Sequence, residues 1–138
     1  MLDIFVTNDD DHLRNHGFVR DPRLGGWMLI PLYDVVPPPV LAGGRRLYLG
    51  VGGQGKLATL DDALSHRAAF VPERPLAVGF MRRVWGEVRQ WKTCFEVHGA
   101  DGQLIDQLRR AFRDLSEIAS PALEAEIRRQ HPSLRVSP

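Results

Sequence analysis

Cysteine is almost missing from this chain. Cys94 stands alone among 138 residues, so no internal disulfide can frame the fold, and a disulfide-stapled secreted scaffold is excluded. Lysine is nearly as scarce, with only Lys56 and Lys92. Charge of one sign is missing too. Eighteen basic against seventeen acidic side chains give a formal net charge of +1, which argues against a dedicated nucleic-acid binder, whose phosphate contacts need a clear basic surplus. No apolar run approaches the ~20 residues needed to cross a bilayer. The opening MLDIFV followed by TNDDD lacks the basic stretch and small-residue cleavage site of a signal peptide. A cytoplasmic protein without membrane attachment is the expectation. What is present is ordinary globular composition, 43% hydrophobic and 25% charged, which suits one domain over residues 1–138.

Most of the ten prolines and thirteen glycines precede residue 80, so the two halves should differ. Residues 7–58 read as loops and short strands, 59–131 as helices, and 132–138 as a tail. MLDIFV is either a short strand or the last turns of a helix. His16–Arg20 and Trp27–Ile30 have strand length, and Asp21-Pro22-Arg23-Leu24-Gly25-Gly26 between them supplies turn chemistry. A β-hairpin is expected there. Leu32–Val36 runs into Pro37-Pro38-Pro39, an extended stretch, and Arg46–Leu49 suggests one more short strand. Thr59, with Asp61 and Asp62 in the first turn, caps a helix reaching about Phe70. Phe80, Val84, Val88, Trp91 and Phe95 recur every three or four residues, predicting one long helix over 75–98 with that stripe buried. Asp101 caps the next helix, with Leu104, Leu108, Phe112 and Leu115 inward, and Ser120-Pro121 opens a last one that fades near His131-Pro132. The fold class is α+β, mainly α: a small hairpin region followed by a helical bundle.

The most unusual stretch is Asn8-Asp9-Asp10-Asp11-His12-Leu13-Arg14-Asn15. Three adjacent carboxylates repel one another, and a cation would relieve them. Asp10 and Asn15 stand five apart, and Asp34 follows beyond the hairpin. In kinase phosphoryl transfer such a set divides into a carboxylate that accepts the hydroxyl proton, an amide oxygen on Mg²⁺, and a later carboxylate that bridges metal and phosphates. D-x-x-x-x-N alone is a weak pattern, and the plainer account is a solvated acidic loop with Asp34 in a turn.

The wording of the whole segment carries more. Asn8 to Val19, followed by Gly26-Trp27-Met28-Leu29-Ile30-Pro31-Leu32-Tyr33-Asp34-Val35-Val36-Pro37, closely resembles the catalytic region of HipA-like serine/threonine kinases. That family's pattern reads approximately N-x-D-D-H-x-x-N-x-x-F, then W-x-L-x-P-x-Y-D-x-x-P. The resemblance continues through Leu49–Gly53, the helix start at Thr59–Leu64 and Trp91…Phe95…Gly99, and covers roughly Thr7 to Phe112. It implies a kinase C-lobe-like segment in which Asp10 is the catalytic aspartate and Asn15 and Asp34 hold Mg²⁺ beside ATP. His12 falls on the motif's histidine, with a role in ordering the loop. The resemblance also implies a toxin–antitoxin setting, a protein substrate and a small DNA-binding antitoxin as partner. Such a kinase needs an N-terminal lobe with a phosphate-covering loop and a lysine. Only about six residues precede the loop here, so the chain resembles roughly the last third of such a kinase. It is expected to be inactive alone, and an upstream-encoded lobe would be its first partner.

Other features have bland readings. Gly50-Val51-Gly52-Gly53-Gln54-Gly55-Lys56 fits G-x-x-x-x-G-K, but Leu57 stands where a P-loop needs Ser or Thr, and no βαβ unit supports a dinucleotide site. Lys56 is the one candidate for a phosphate contact, with a solvated loop lysine as the plainer account. Trp85, Trp91 and Phe95 read as core. Arg82-Arg83, Arg109-Arg110-Arg113 and Arg128-Arg129 read as solvated faces with i,i+4 partners. The histidines show no zinc spacing, and Cys94 reads as a small buried hydrophobe. Two alternatives to the kinase segment stay open: a non-enzymatic partner-binding module or kinase remnant, and a metal-dependent phosphohydrolase built on Asp9-Asp10-Asp11-His12.

Overall fold

Turn chemistry decides the first sheet. In the computed structural model, which describes residues 1–38 and 46–129, strand β1 (Phe18–Asp21) pairs antiparallel with β2 (Gly26–Leu29), from Phe18 opposite Leu29 to Asp21 opposite Gly26. Asp21 closes the turn by accepting the Arg23 backbone N–H at 2.8 Å and its guanidinium at 3.1 Å. Gly25 takes the φ of +66° that a bulkier residue would resist. The hairpin is thus where turn residues predicted it, shifted by one or two positions. Arg46–Leu49 does not form a strand. Arg46 makes an isolated bridge to Leu57, while the Tyr48 N–H turns to the Asp9 carbonyl at 3.0 Å. The segment therefore splits its hydrogen bonds between two neighbours and forms no ladder.

Seven helices are present among the described residues: α1 (Leu2–Val6), α2 (Leu60–Ser65), α3 (Arg74–Val88), α4 (Trp91–Val97), α5 (Gly102–Leu108), α6 (Leu115–Ile118) and α7 (Pro121–Arg128). Three of the expected caps are formed. Thr59 Oγ1 accepts from Asp62 N–H, Asp101 Oδ1 from Leu104 N–H, and Ser120 Oγ from Leu123 N–H. The helix opened by Thr59 stops at Ser65 and continues only as a short 3₁₀ turn, Arg67–Ala69. The expected fading of the last helix near His131-Pro132, and the tail 132–138, lie outside the described residues, as does Pro39.

The predicted single helix over 75–98 is two helices, broken at Arg89-Gln90. No proline causes the break. The Gln90 side-chain amide donates to the Gly86 carbonyl at 3.0 Å, taking the acceptor that its own backbone N–H would use in a continuous helix. That N–H bonds Glu87 instead, at 3.1 Å. The buried face of α3 is also rotated from the expected stripe. Ala77, Val78 and Met81 are buried, Phe80 is exposed, and Val84, Trp85 and Val88 are half-buried. In α5 the inward residues are Ile105 and Leu108, while Leu104 is exposed.

The core forms around α1. Ile4, Phe5 and Val6 pack with Leu60 and Leu64 of α2, Ala77, Val78 and Met81 of α3, and Leu115, Ile118, Leu123 and Ile127 of α6 and α7. A helix of five residues has no stability of its own, so α1 exists because its apolar turn is enclosed. Its end is tied across the molecule. Arg113 N–H bonds the Phe5 carbonyl at 2.8 Å, and the Thr7 hydroxyl donates to Ala111 at 2.7 Å. Arg82 of α3 adds a cap to α7, donating to the carbonyls of Ile127 and Glu126.

Candidate functional site

The acidic segment leaves the core directly. Thr7 ends α1 at φ 55°, and Asn8, buried, donates its side-chain amide to Asp3 at 2.9 Å. Asn8 is therefore a fastener for the segment that follows. Asp9 and Asp10 are exposed. A 3₁₀ turn, Leu13–Asn15, then brings Asn15 back under Asp10. The Asn15 Nδ2 donates to the Asp10 backbone carbonyl at 3.3 Å, and Asn15 N–H bonds the His12 carbonyl at 2.9 Å. Asn15 is buried, yet none of the hydrogen bonds among the described residues reaches its Oδ1. With the amide nitrogen committed to the backbone, the oxygen is the atom left to act as a ligand.

Asp34 arrives from the far side of the hairpin. The ladder runs one step beyond the strands through Ile30 N–H to the Gly17 carbonyl at 3.0 Å. Tyr33 then donates its hydroxyl to the carbonyl of Arg14. That bond fastens the residue before Asp34 to the residue before Asn15. Gly17 permits the approach, since a Cβ there would meet Ile30 Cδ1 at 2.5 Å. Asp34 itself is exposed, with φ 57°, and its carboxylate makes no hydrogen bond or ion pair among the described residues. The structure thus sets Asp10 and Asn15 in one turn, and tethers the Asp34 backbone to that turn.

His12 and Lys56 meet through a third residue. The His12 ring lies edge-on to Tyr48, centroids 5.9 Å apart, and Lys56 Nζ sits 5.1 Å from the same ring. His12 Nδ1 is buried and has no hydrogen-bond partner among the described residues. Lys56 is exposed on the strand-like crossing beside the acidic loop, its carbonyl accepting from Leu47 N–H at 2.9 Å. Tyr48 was not singled out by sequence reasoning, and neither was Tyr33. The position of Tyr33 directly before Asp34 in the Y-D motif is the signal that could have marked it.

The glycine-rich stretch is closed to phosphate. Its central N–H groups, Val51 to Gly55, are already taken: Gln54 N–H donates to buried Asp62 at 2.7 Å, and Gly53 N–H to Ser65 Oγ at 2.9 Å. Gly52 lies so close to α2 that a Cβ would fall 1.9 Å from the Asp62 carbonyl oxygen. Asp62, 2% exposed, is thus a structural carboxylate that anchors the loop, a role its place in a helix first turn did not reveal.

Electrostatics single out Asp11. Partial burial, then the Asp3 carboxylate, push its carboxyl above the ordinary range, while His16, the N-terminal ammonium and His12 pull it back. His16 Nε2 lies 3.6 Å from Asp11 Oδ1, and its Nδ1 faces the His12 carbonyl at 3.3 Å. Among the described residues no three His, Cys, Asp or Glu side chains gather to hold a metal ion, so Asp9, Asp10, Asp11 and His12 do not form the ligand group a phosphohydrolase would need. Cys94, expected buried, is exposed. It lies on the outer face of α4, with its sulfur 3.9 Å from His98 Nδ1.

The family described as the HipA-like C-terminal domain matches residues 1–92. No curated protein and no solved structure matches the chain. The matched span includes α1, the acidic turn, the hairpin with Asp34, the glycine loop and α3, and it ends in α4, short of the Phe112 to which the motif resemblance extends. Two-thirds of the sequence, including every candidate residue of the site, lies inside that span: the chain belongs to the HipA-like C-terminal domain family.

Proposed function

We propose that this chain carries the metal-binding and proton-accepting half of a serine/threonine phosphotransferase, of toxin–antitoxin type. The observation that supports it best is the Tyr33–Arg14 hydrogen bond, which joins the Asp34 segment to the Asp10–Asn15 turn. The Asp10–Asn15 turn and the Asp34 segment are thereby joined, and the Asn15 Oδ1 and the carboxylates of Asp10 and Asp34 take no hydrogen bond or ion pair among the described residues. Mg²⁺ takes hard oxygen ligands and keeps several waters, so the Asn15 amide oxygen and the Asp34 carboxylate suit it. When bound, the ion would neutralise charge on the nucleotide phosphates. Asp10 accepts the proton of the acceptor hydroxyl as that oxygen bonds the γ-phosphorus. The bond from phosphorus to the bridging oxygen breaks, and ADP leaves. His12, wedged against Tyr48, orders the turn that carries Asp10. Lys56 faces the same ring, its Nζ 5.1 Å from the centroid, and is the candidate for a phosphate contact.

The rest of the nucleotide enclosure would come from a kinase N-lobe, and the apolar surface of this chain is consistent with such a cover. Trp27 is 73% and Phe70 83% exposed, and large apolar patches mark sites of association. The same observation favours a second reading, a non-enzymatic module whose acidic turn is a relic. Titration calorimetry of Mg²⁺-ATP separates the two. In the first reading the chain joined to a cognate N-lobe binds the nucleotide, Asp34→Ala abolishes that binding, and Asp10→Asn leaves binding intact while lowering transfer to Ser or Thr by about 10²–10⁴-fold. Absence of nucleotide binding both alone and with the lobe overturns it in favour of the module. A small DNA-binding antitoxin as partner, and a cytoplasmic setting, belong to the same proposal. Among the described residues no helix is long and apolar enough to cross a membrane.

A further inference from the structure

A groove of about 820 Å³ lies between the α3–α4 junction and the α5–α6 connection, apart from the acidic turn. Its floor is aromatic. Trp91 stacks on Phe112 with centroids 4.1 Å apart and planes 2° from parallel. Its rim is cationic, carrying Arg89, Lys92, Arg109 and Arg110. All four are exposed, and none makes an ion pair or side-chain hydrogen bond among the described residues. The two acids beside them are engaged at home. Asp114 caps α6, and Glu117 accepts the Asp114 N–H at 3.1 Å while facing Arg113 at 3.4 Å. With a net charge of only +1 over the whole chain, five cations against two acids around one concavity are a local excess of three positive charges, and the four unpaired cations repel one another until an anion enters.

We infer that this groove binds an acidic segment of a partner polypeptide. The aromatic faces explain the choice of peptide over nucleic acid. Arg89 and Arg128 lie 5.2 and 5.0 Å from the Trp85 ring centre, and Lys92 sits 5.7 Å from that of Trp91, whose ring already stacks on Phe112. Single-stranded nucleic acid relies on bare ring faces for base stacking, and these are occupied. What remains open is a set of N–H donors above an apolar floor. Guanidinium forks match carboxylates in pairs, and the exposed edges of the floor accept an apolar side chain between them.

The test uses a fluorescein-labelled peptide rich in Asp and Glu with one central Leu, its Asn/Gln counterpart, and an oligodeoxythymidylate, followed by anisotropy at about 0.15 M ionic strength. The acidic peptide is expected to bind at least ~10-fold more tightly than its neutral counterpart, and Arg109→Glu with Arg110→Glu to weaken it at least ~10-fold. Arg83→Glu, an exposed cation of α3 outside the groove, controls for net charge and should change binding by less than ~2-fold. No binding of the acidic peptide overturns the inference. So does equal loss in Arg83→Glu, or tighter binding of the oligonucleotide, which would assign the groove to nucleic acid. The phosphotransferase reading is untouched by any of these results.

Discussion

Asp34 shows how a single residue can be held against its backbone preference. At φ 57° it occupies the left-handed region, which costs a residue with a Cβ about 1 kcal/mol and costs glycine nothing. Tyr33 holds the segment from one side through Arg14. Replacement by glycine and by alanine should therefore separate stability from function. Asp34→Gly is expected to exceed Asp34→Ala in unfolding free energy by about 1 kcal/mol, read from urea denaturation, while under the proposed phosphotransferase reading both lose alike the Mg²⁺-nucleotide binding of the chain joined to its N-lobe. Equal stabilities would show that the backbone angle carries no strain. Asp11 gives the opposite lesson, a carboxylate disfavoured by burial and by Asp3. A raised carboxyl pKa means the folded chain holds the proton more firmly than the unfolded chain. Ionisation therefore costs stability above the folded value, and the cost vanishes as pH falls below the unfolded value near ~3.9. Asp11→Asn should raise the denaturation midpoint slightly at pH 8, within the ~0.5 kcal/mol usual for surface changes. The gain should fade through the carboxylate range. A gain that persists below it would assign the effect to something other than charge.

At the scale of elements, the glycine loop is built to lie on α2, and Gly52 is the point of closest approach. A Cβ there meets the Asp62 backbone at 1.9 Å, whereas at Gly53 the nearest atom is the Ser65 hydroxyl at 3.4 Å. Backbone cannot swing aside as a side chain can. Gly52→Ala is expected to cost about 3 kcal/mol and Gly53→Ala less than about 1 kcal/mol, both by chemical denaturation. Comparable losses would mean that the loop is not docked as described. This docking was not legible in the sequence, because it depends on Asp62 reaching a loop eight residues earlier. The caps at Thr59, Asp101 and Ser120 were legible, because a cap bonds its own helix three residues on. The hairpin was legible for the same reason, its turn being closed by Asp21 and Arg23. The break between α3 and α4 was not, since Gln90 replaces a backbone bond with a side-chain one, and nothing in its helix propensity announces that. For the site, the motif marked Asp10, Asn15 and Asp34, but Tyr33, which brings two of these segments together, stood in the Y-D motif without a role assigned to it.

At the scale of the whole molecule, the basic groove and the exposed hairpin lie in different parts of the chain. The helical half supplies the basic groove and most of the core. The hairpin half supplies the acidic turn and a two-stranded sheet whose residues are mostly exposed. Phe18, Val19, Leu24, Trp27, Met28 and Leu29 are all exposed. Two isolated strands are marginal in water, so this hairpin depends on its turn and on the Ile30–Gly17 extension rather than on burial. Exposed apolar side chains of that number drive association. Their removal should change the solution behaviour of the chain without changing its fold. Leu24→Ser with Trp27→Ser is expected to shift the denaturation midpoint by no more than ~0.5 kcal/mol equivalent, while light scattering shows less concentration-dependent self-association. Phe5→Ala, at the centre of the core with 0% exposure, should cost about 3–5 kcal/mol by contrast. If the hairpin pair lost as much stability as Phe5→Ala, the sheet would have to be packed within the fold. The apolar face would then no longer be available to a kinase N-lobe, and the account of how the nucleotide site is completed would fail with it.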